Sequence, residues 1–79
     1  MARKKKRQLI ITFSTTTEAM RTEKFCMEKN LPGRMIPVPR ETSAGCGLSW
    51  KVDPEEKDRI QKEFEQAGIT FEAMQIVEI

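Results

Sequence analysis

After seven residues dominated by lysine and arginine, the chain turns apolar at Gln8-Leu9-Ile10-Ile11-Thr12-Phe13-Ser14. A short run this rich in β-branched and aromatic residues predicts a buried strand. Thr15-Thr16-Thr17-Glu18 follows, with threonine and glutamate three residues apart. That spacing is a capping box: the threonine oxygen accepts from a first-turn N–H while the glutamate reaches back. A helix is therefore expected from Thr15 to about Asn30. Ala19, Met20, Cys26, Met27 and Leu31 form its inward stripe, broken at Glu23. Leu31-Pro32-Gly33 ends it. Met20, Met27, Met35 and Met74 read as core fillers.

Arg34-Met35-Ile36-Pro37-Val38 predicts a short second strand. Pro37 has no N–H to give to a ladder, which places this strand at a sheet edge. Gly47-Leu48-Ser49-Trp50-Lys51-Val52 alternates, so Leu48, Trp50 and Val52 share one face of a third strand. Asp53-Pro54-Glu55-Glu56 marks a second helix start, with Asp53 as cap, Pro54 at the first helical position and Glu56 closing the box. Ile60, Phe64 and Ala67 recur at helical spacing, and Gly68 stops the helix. Phe71 to Ile79 predicts a last strand, with Met74, Ile76 and either Val77 or Ile79 facing inward.

The order β-α-β-β-α-β predicts an α+β fold: a ferredoxin-like two-layer sandwich with a four-stranded antiparallel sheet and two helices on one face. In that topology the first and second strands run parallel, with the third between them. The end of the first strand and the loop between the second and third strands then share one end of the sheet. At 79 residues the chain makes a single small domain. Such a chain buries about 60% of its unfolded surface, so a shallow site or an interface is expected rather than a deep pocket.

Charge changes this picture little. The formal net charge is +2, but Arg3, Lys4, Lys5, Lys6 and Arg7 supply five of the 14 basic residues. The rest carries nine basic against 12 acidic residues, a net of −3. Residues 1–7 therefore read as a disordered basic tail on a single domain spanning 8–79. A nucleic-acid-binding body would carry its own basic patch, which leaves only weak contact with nucleic acid through the tail. The chain has no apolar run long enough for a membrane helix and no signal-peptide pattern at Leu9–Phe13, so a cytoplasmic protein with reduced thiols is expected.

The candidate chemistry lies in Ser43-Ala44-Gly45-Cys46-Gly47, where a cysteine stands between two glycines. Gly45 and Gly47 give the loop its geometry and leave the thiol little cover. The predicted topology brings Cys46 to the start of the first helix, at Thr15, Thr16 and Thr17. The partial positive charge and free N–H groups of a helix start favour a thiolate. Arg40, in the same loop, can add a permanent charge. The other cysteine, Cys26, falls on the inward stripe and reads as core, although spacing alone leaves a pairing with Cys46 open.

With no histidine, one chain cannot make a Cys-His dyad. Two cysteines 20 residues apart cannot close a zinc or iron–sulfur site, and no Cys-x-x-Cys or phosphate-binding glycine loop is present. No metal and no cofactor are expected. What remains for one activated thiolate is attack on sulfur or a similar soft atom, mixed-disulfide formation, or carriage of a group as a persulfide.

Pro39-Arg40, Ser43 and Cys46-Gly47 opening a strand, with the strand–Thr–helix start at Phe13 to Ala19, resemble the selenium/sulfur (Se/S) carrier protein-like family. These are small bacterial domains, and the resemblance extends over most of the chain from Gln8. It implies that Cys46 accepts sulfur or selenium as a persulfide or selenosulfide and passes it on. A donor such as a cysteine desulfurase and an acceptor enzyme would be the partners, and the chain would be a carrier more than an independent enzyme. Two other readings stand beside it. One is a non-catalytic binding or regulatory module using the basic tail. The other is a redox-sensing thiol.

Overall fold

The computed structural model describes residues 6–38 and 47–78. The elements are β1 (Arg7–Thr12), α1 (Thr16–Glu28), β2 (Arg34–Pro37), β3 (Leu48–Val52), a 3₁₀ turn at Pro54–Glu56 running into α2 (Lys57–Ala67), and β4 (Ala73–Glu78). The sheet order is β2-β3-β1-β4, and every neighbouring pair is antiparallel. β1 and β2 therefore run in the same direction with β3 between them, as the topology requires. The fold is the expected ferredoxin-like sandwich. Its first strand begins at Arg7, which pairs with Glu78, so the sheet takes in the last residue assigned to the tail.

One face of the sheet carries the core. Leu9, Ile11, Trp50 and Val52 meet Ala19 and Cys26 of α1 and Ile60 and Phe64 of α2. Both helices thus lie on that face. Phe64 stands edge-on to Phe25 at 6.1 Å between centroids and lies 6.1 Å from Phe71. Such pairs add to the burial of their rings. The alternate residues Ile10, Thr12 and Ser49 point to the opposite face yet are fully buried. There the register sets Ile10 between Lys51 and Gln75, and Thr12 between Ser49 and Ala73.

The inward face of α1 differs from the expected stripe. Ala19, Thr22 and Cys26 are buried, whereas Met20 and Met27 are 57% and 70% exposed. Neither methionine fills the core. Thr22 takes the central inward position because its hydroxyl donates to the Glu18 carbonyl at 2.9 Å, so it buries no unpaired group. Met35 and Met74 do pack against the core.

Both helices stop in the same way. After α1, Asn30 adopts a left-handed φ of 54°, Asn30 N–H donates to Met27 O, and Leu31 N–H donates to Cys26 O at 2.8 Å. After α2, Gly68 takes φ 71°, and Ile69 N–H donates to Phe64 O at 2.9 Å. This is the Schellman arrangement, which satisfies carbonyls left over at a helix end. Asn30, rather than the Pro32-Gly33 pair, therefore stops α1.

Gly33 has a different task. With φ 107° it lies against Trp50, and an added Cβ would run into the indole and come within 2.6 Å of the Lys51 carbonyl. Trp50 Nε1 donates to Pro32 O at 3.2 Å, which fixes the ring beneath this turn. At the α2 start, Asp53 caps by accepting from Glu55 N–H at 3.0 Å. Glu56 does not close a box, because its carboxylate lies 3.7 Å from Arg59 Nη1. In β4, Ile76 lies across from Leu9 on the inward face but stays 42% exposed on this edge strand, and Ile79 lies outside the described residues.

Candidate functional site

Four strand ends meet at one end of the sheet. Ile36, Ser49, Thr12 and Ala73 form a single row across β2, β3, β1 and β4. Ser49 Oγ donates to Ile36 O at 3.4 Å, and Glu72 N–H donates to Thr12 O at 2.7 Å. Just beyond this row, Phe13 leads into α1, and Val38 N–H donates to Gly47 O at 3.0 Å. The pairing of Val38 with Gly47 closes the β2–β3 connection.

Gly47 is exposed and has φ 76°, a left-handed conformation that favours glycine. An added Cβ there would meet no atom within 4 Å. The glycine is needed for its backbone angle and not for space. Of the other expected site residues, Cys46, Arg40 and Gly45 lie outside the described residues.

The start of α1 has the expected cap at Thr15, while the Glu18 carboxylate reaches back to Ser14 N–H rather than to the cap residue. Thr15 is the N-cap, and its Oγ1 accepts from Glu18 N–H at 3.2 Å. Ala19 N–H donates to Thr15 O at 3.2 Å and opens the helical ladder. The N–H groups of Thr16 and Thr17 have no acceptor among the described residues. Thr15, Thr16 and Thr17 are all exposed. A helix start of this kind offers amide hydrogens to an anion.

Glu18 was read only as a member of the capping box. Its carboxylate accepts from Ser14 N–H at 3.1 Å through Oε1 and from the Thr70 hydroxyl at 2.9 Å through Oε2. An anion therefore already stands at the positive end of α1 and offsets part of its pull on a second one. Thr70 lies 52 residues away in sequence, and nothing local signals that link.

Cys26 sits far from this chemistry in character. It is 1% exposed within the core, and burial pushes its thiol up to about 11. A thiol held neutral and covered is inert towards attack. Among the described residues no cluster of histidine, cysteine, aspartate or glutamate could hold a metal ion. No described helix is long and apolar enough to cross a membrane.

A family model described as "Putative Se/S carrier protein-like" matches residues 8–75. No curated protein and no solved structure gives a significant match to the chain.

Proposed function

The chain belongs to this Se/S carrier protein-like family, and we propose that it carries sulfur or selenium on the thiol of Cys46. One observation supports the choice of residue. The chain has two cysteines, and Cys26 is sealed in the core with its thiol held protonated. A carrier needs a thiol that a donor can reach, which leaves Cys46.

Cys46 is bonded to Gly47, which lies at the same end of the sheet as the start of α1. In this reading Arg40 and the amides of Thr16 and Thr17 favour the thiolate, against the opposing charge of Glu18. Gly45 and Gly47 keep the loop clear of bulky side chains. The thiolate attacks the outer sulfur of a donor protein's persulfide. A bond forms between Cys46 Sγ and that sulfur, the donor's S–S bond breaks, and the donor thiolate leaves with the electron pair. The exchange has no net oxidation. Selenium would travel in the same way as a selenosulfide. The donor is a persulfide-forming enzyme such as a cysteine desulfurase, and the acceptor is a biosynthetic enzyme. A reducing cytoplasm would keep the thiol free between loads.

Incubation with a cysteine desulfurase and free cysteine, followed by intact-mass analysis, tests this. The wild type should gain one sulfur atom, Cys26→Ala should gain it too, and Cys46→Ser should not. Equal gain by Cys46→Ser, or none by the wild type, would sink the proposal.

A further inference from the structure

The two edges of the sheet are built differently. β2 is four residues long, starts at the exposed Arg34 and ends at Pro37, which has no N–H to offer. A short strand with a charge and a proline makes a blunt edge. β4, at the other edge, runs Ala73-Met74-Gln75-Ile76-Val77-Glu78, with no proline, glycine or lysine. Its pairing with β1 passes through all six residues without a bulge. On its outer side no backbone group of β4 has a partner among the described residues. Ile76 lies 42% exposed at this edge, on the helix-bearing face beside Leu9.

A row of free N–H and C=O groups is satisfied by another strand. The side chains of β4 fit a second copy of it. A two-fold axis perpendicular to the sheet pairs β4 antiparallel with itself and keeps like faces together. Two such registers engage five of the six residues, Ala73 to Val77 or Met74 to Glu78. The first centres on Gln75 and sets Glu72 against Glu78 of the other copy at both ends, which is unfavourable for like charges directly opposite. The second centres on Ile76. It sets Ile76 against Ile76, Gln75 against Val77 and Met74 against Glu78, and opposes no like charges. Leu9 and Ile76 of one copy then run into Ile76 and Leu9 of the other as one apolar row, which covers the exposed Ile76.

From this edge we infer that β4 pairs with β4 of a second copy, centred on Ile76, in a weak symmetric homodimer. A two-fold contact closes on itself, and with β2 blunt the association stops at two. A six-residue strand is about 20 Å long and presents less than the roughly 800 Å² per partner of a standard interface. Association is therefore concentration-dependent, with a Kd between roughly 10 µM and 1 mM. The β2–β3 connection that holds Cys46 lies on the far side of β1 from β4. Pairing at β4 leaves it uncovered, so the inference stands or falls independently of the carrier role.

Sedimentation equilibrium of the full chain up to about 1 mM tests it. The wild type should show monomer–dimer exchange. Ile76→Lys and Ile76→Glu should each weaken it roughly tenfold or more, because each sets two like charges on the axis in place of an apolar pair. An equimolar mixture of the two variants should associate again, since each now complements the other. A second measurement locates the contact. In a Cys46→Ser background, Ile76→Cys should form an intermolecular disulfide roughly tenfold faster than Lys57→Cys, at an exposed position of α2. A wild type that stays monomeric would overturn the inference. Dimerisation untouched by the charges, a mixture that fails to recover it, or equal rates of cross-linking would overturn it equally.

Discussion

Around Gly33 and Trp50 the chain has no room for one more carbon, whereas around Gly47 an added carbon would meet nothing within 4 Å. Both glycines have left-handed φ values, 107° and 76°. One is needed for space and conformation together, the other for conformation alone. The two cysteines divide along the same line: Cys26 belongs to the packed interior, and Cys46 is the direct neighbour of the open turn. In a domain this small, packing closes around Gly33 and leaves the surroundings of Gly47 open.

The contrast is most easily broken with alanine. Gly33→Ala should destabilise the fold by about 3 kcal/mol or more, from overpacking against Trp50 and from the strained φ. Urea denaturation measures this. A loss below about 1 kcal/mol would mean that the Trp50 wall is not rigid.

Alkaline titration probes the interior thiol. The folded value for Cys26 of about 11 lies above the ordinary thiol value of 9.0. Its contribution is therefore complete below pH 9.0 and is lost as the pH rises towards about 11. The loss should total roughly 2–3 kcal/mol, at about 1.4 kcal/mol per pH unit. Cys26→Ala should remove that slope. A slope that is unchanged would assign the loss to other groups.

Gly47→Ala should cost only about 1 kcal/mol, the penalty of a left-handed alanine in open space. A cost equal to that at Gly33 would erase the difference between the two regions. The smallest effect concerns Glu18. Glu18→Gln removes the anion at the α1 start while keeping an oxygen to accept from Ser14 N–H and offering an amide N–H to the Thr70 hydroxyl. Iodoacetamide should then alkylate Cys46 roughly two- to fivefold faster at neutral pH. An unchanged rate would separate Cys46 electrostatically from α1.

The sequence pattern was sufficient for the architecture because it repeated itself at several levels. The Thr15–Glu18 box, the Asp53-Pro54 start, Gly68 and the alternation through Trp50 all agreed on one topology. Pro37 correctly marked β2 as an edge. The inward face of α1 was misread because Thr22 looks polar and Met20 and Met27 look buried. The hydroxyl of Thr22 is satisfied inside its own helix, so the small residues Ala19, Thr22 and Cys26 can approach the sheet closely. The stop at Asn30 was equally hidden, since asparagine enters the left-handed region less predictably than glycine. At the candidate site, the cap at Thr15 could be read locally. The Glu18–Thr70 hydrogen bond could not, because it joins distant parts of the chain. Arg40, Gly45 and Cys46 lie outside the described residues, and their assignment rests on the sequence, the family and the exclusion of Cys26.

The central claim is that one thiol carries the cargo and the other cannot. Peptide mapping of the wild-type chain after loading by a cysteine desulfurase tests this most directly, because both cysteines compete in one molecule. The account predicts the added sulfur on the peptide containing Cys46, with the Cys26 peptide unmodified until the chain is unfolded. Sulfur on Cys26 in the folded chain, or on neither cysteine, would contradict it.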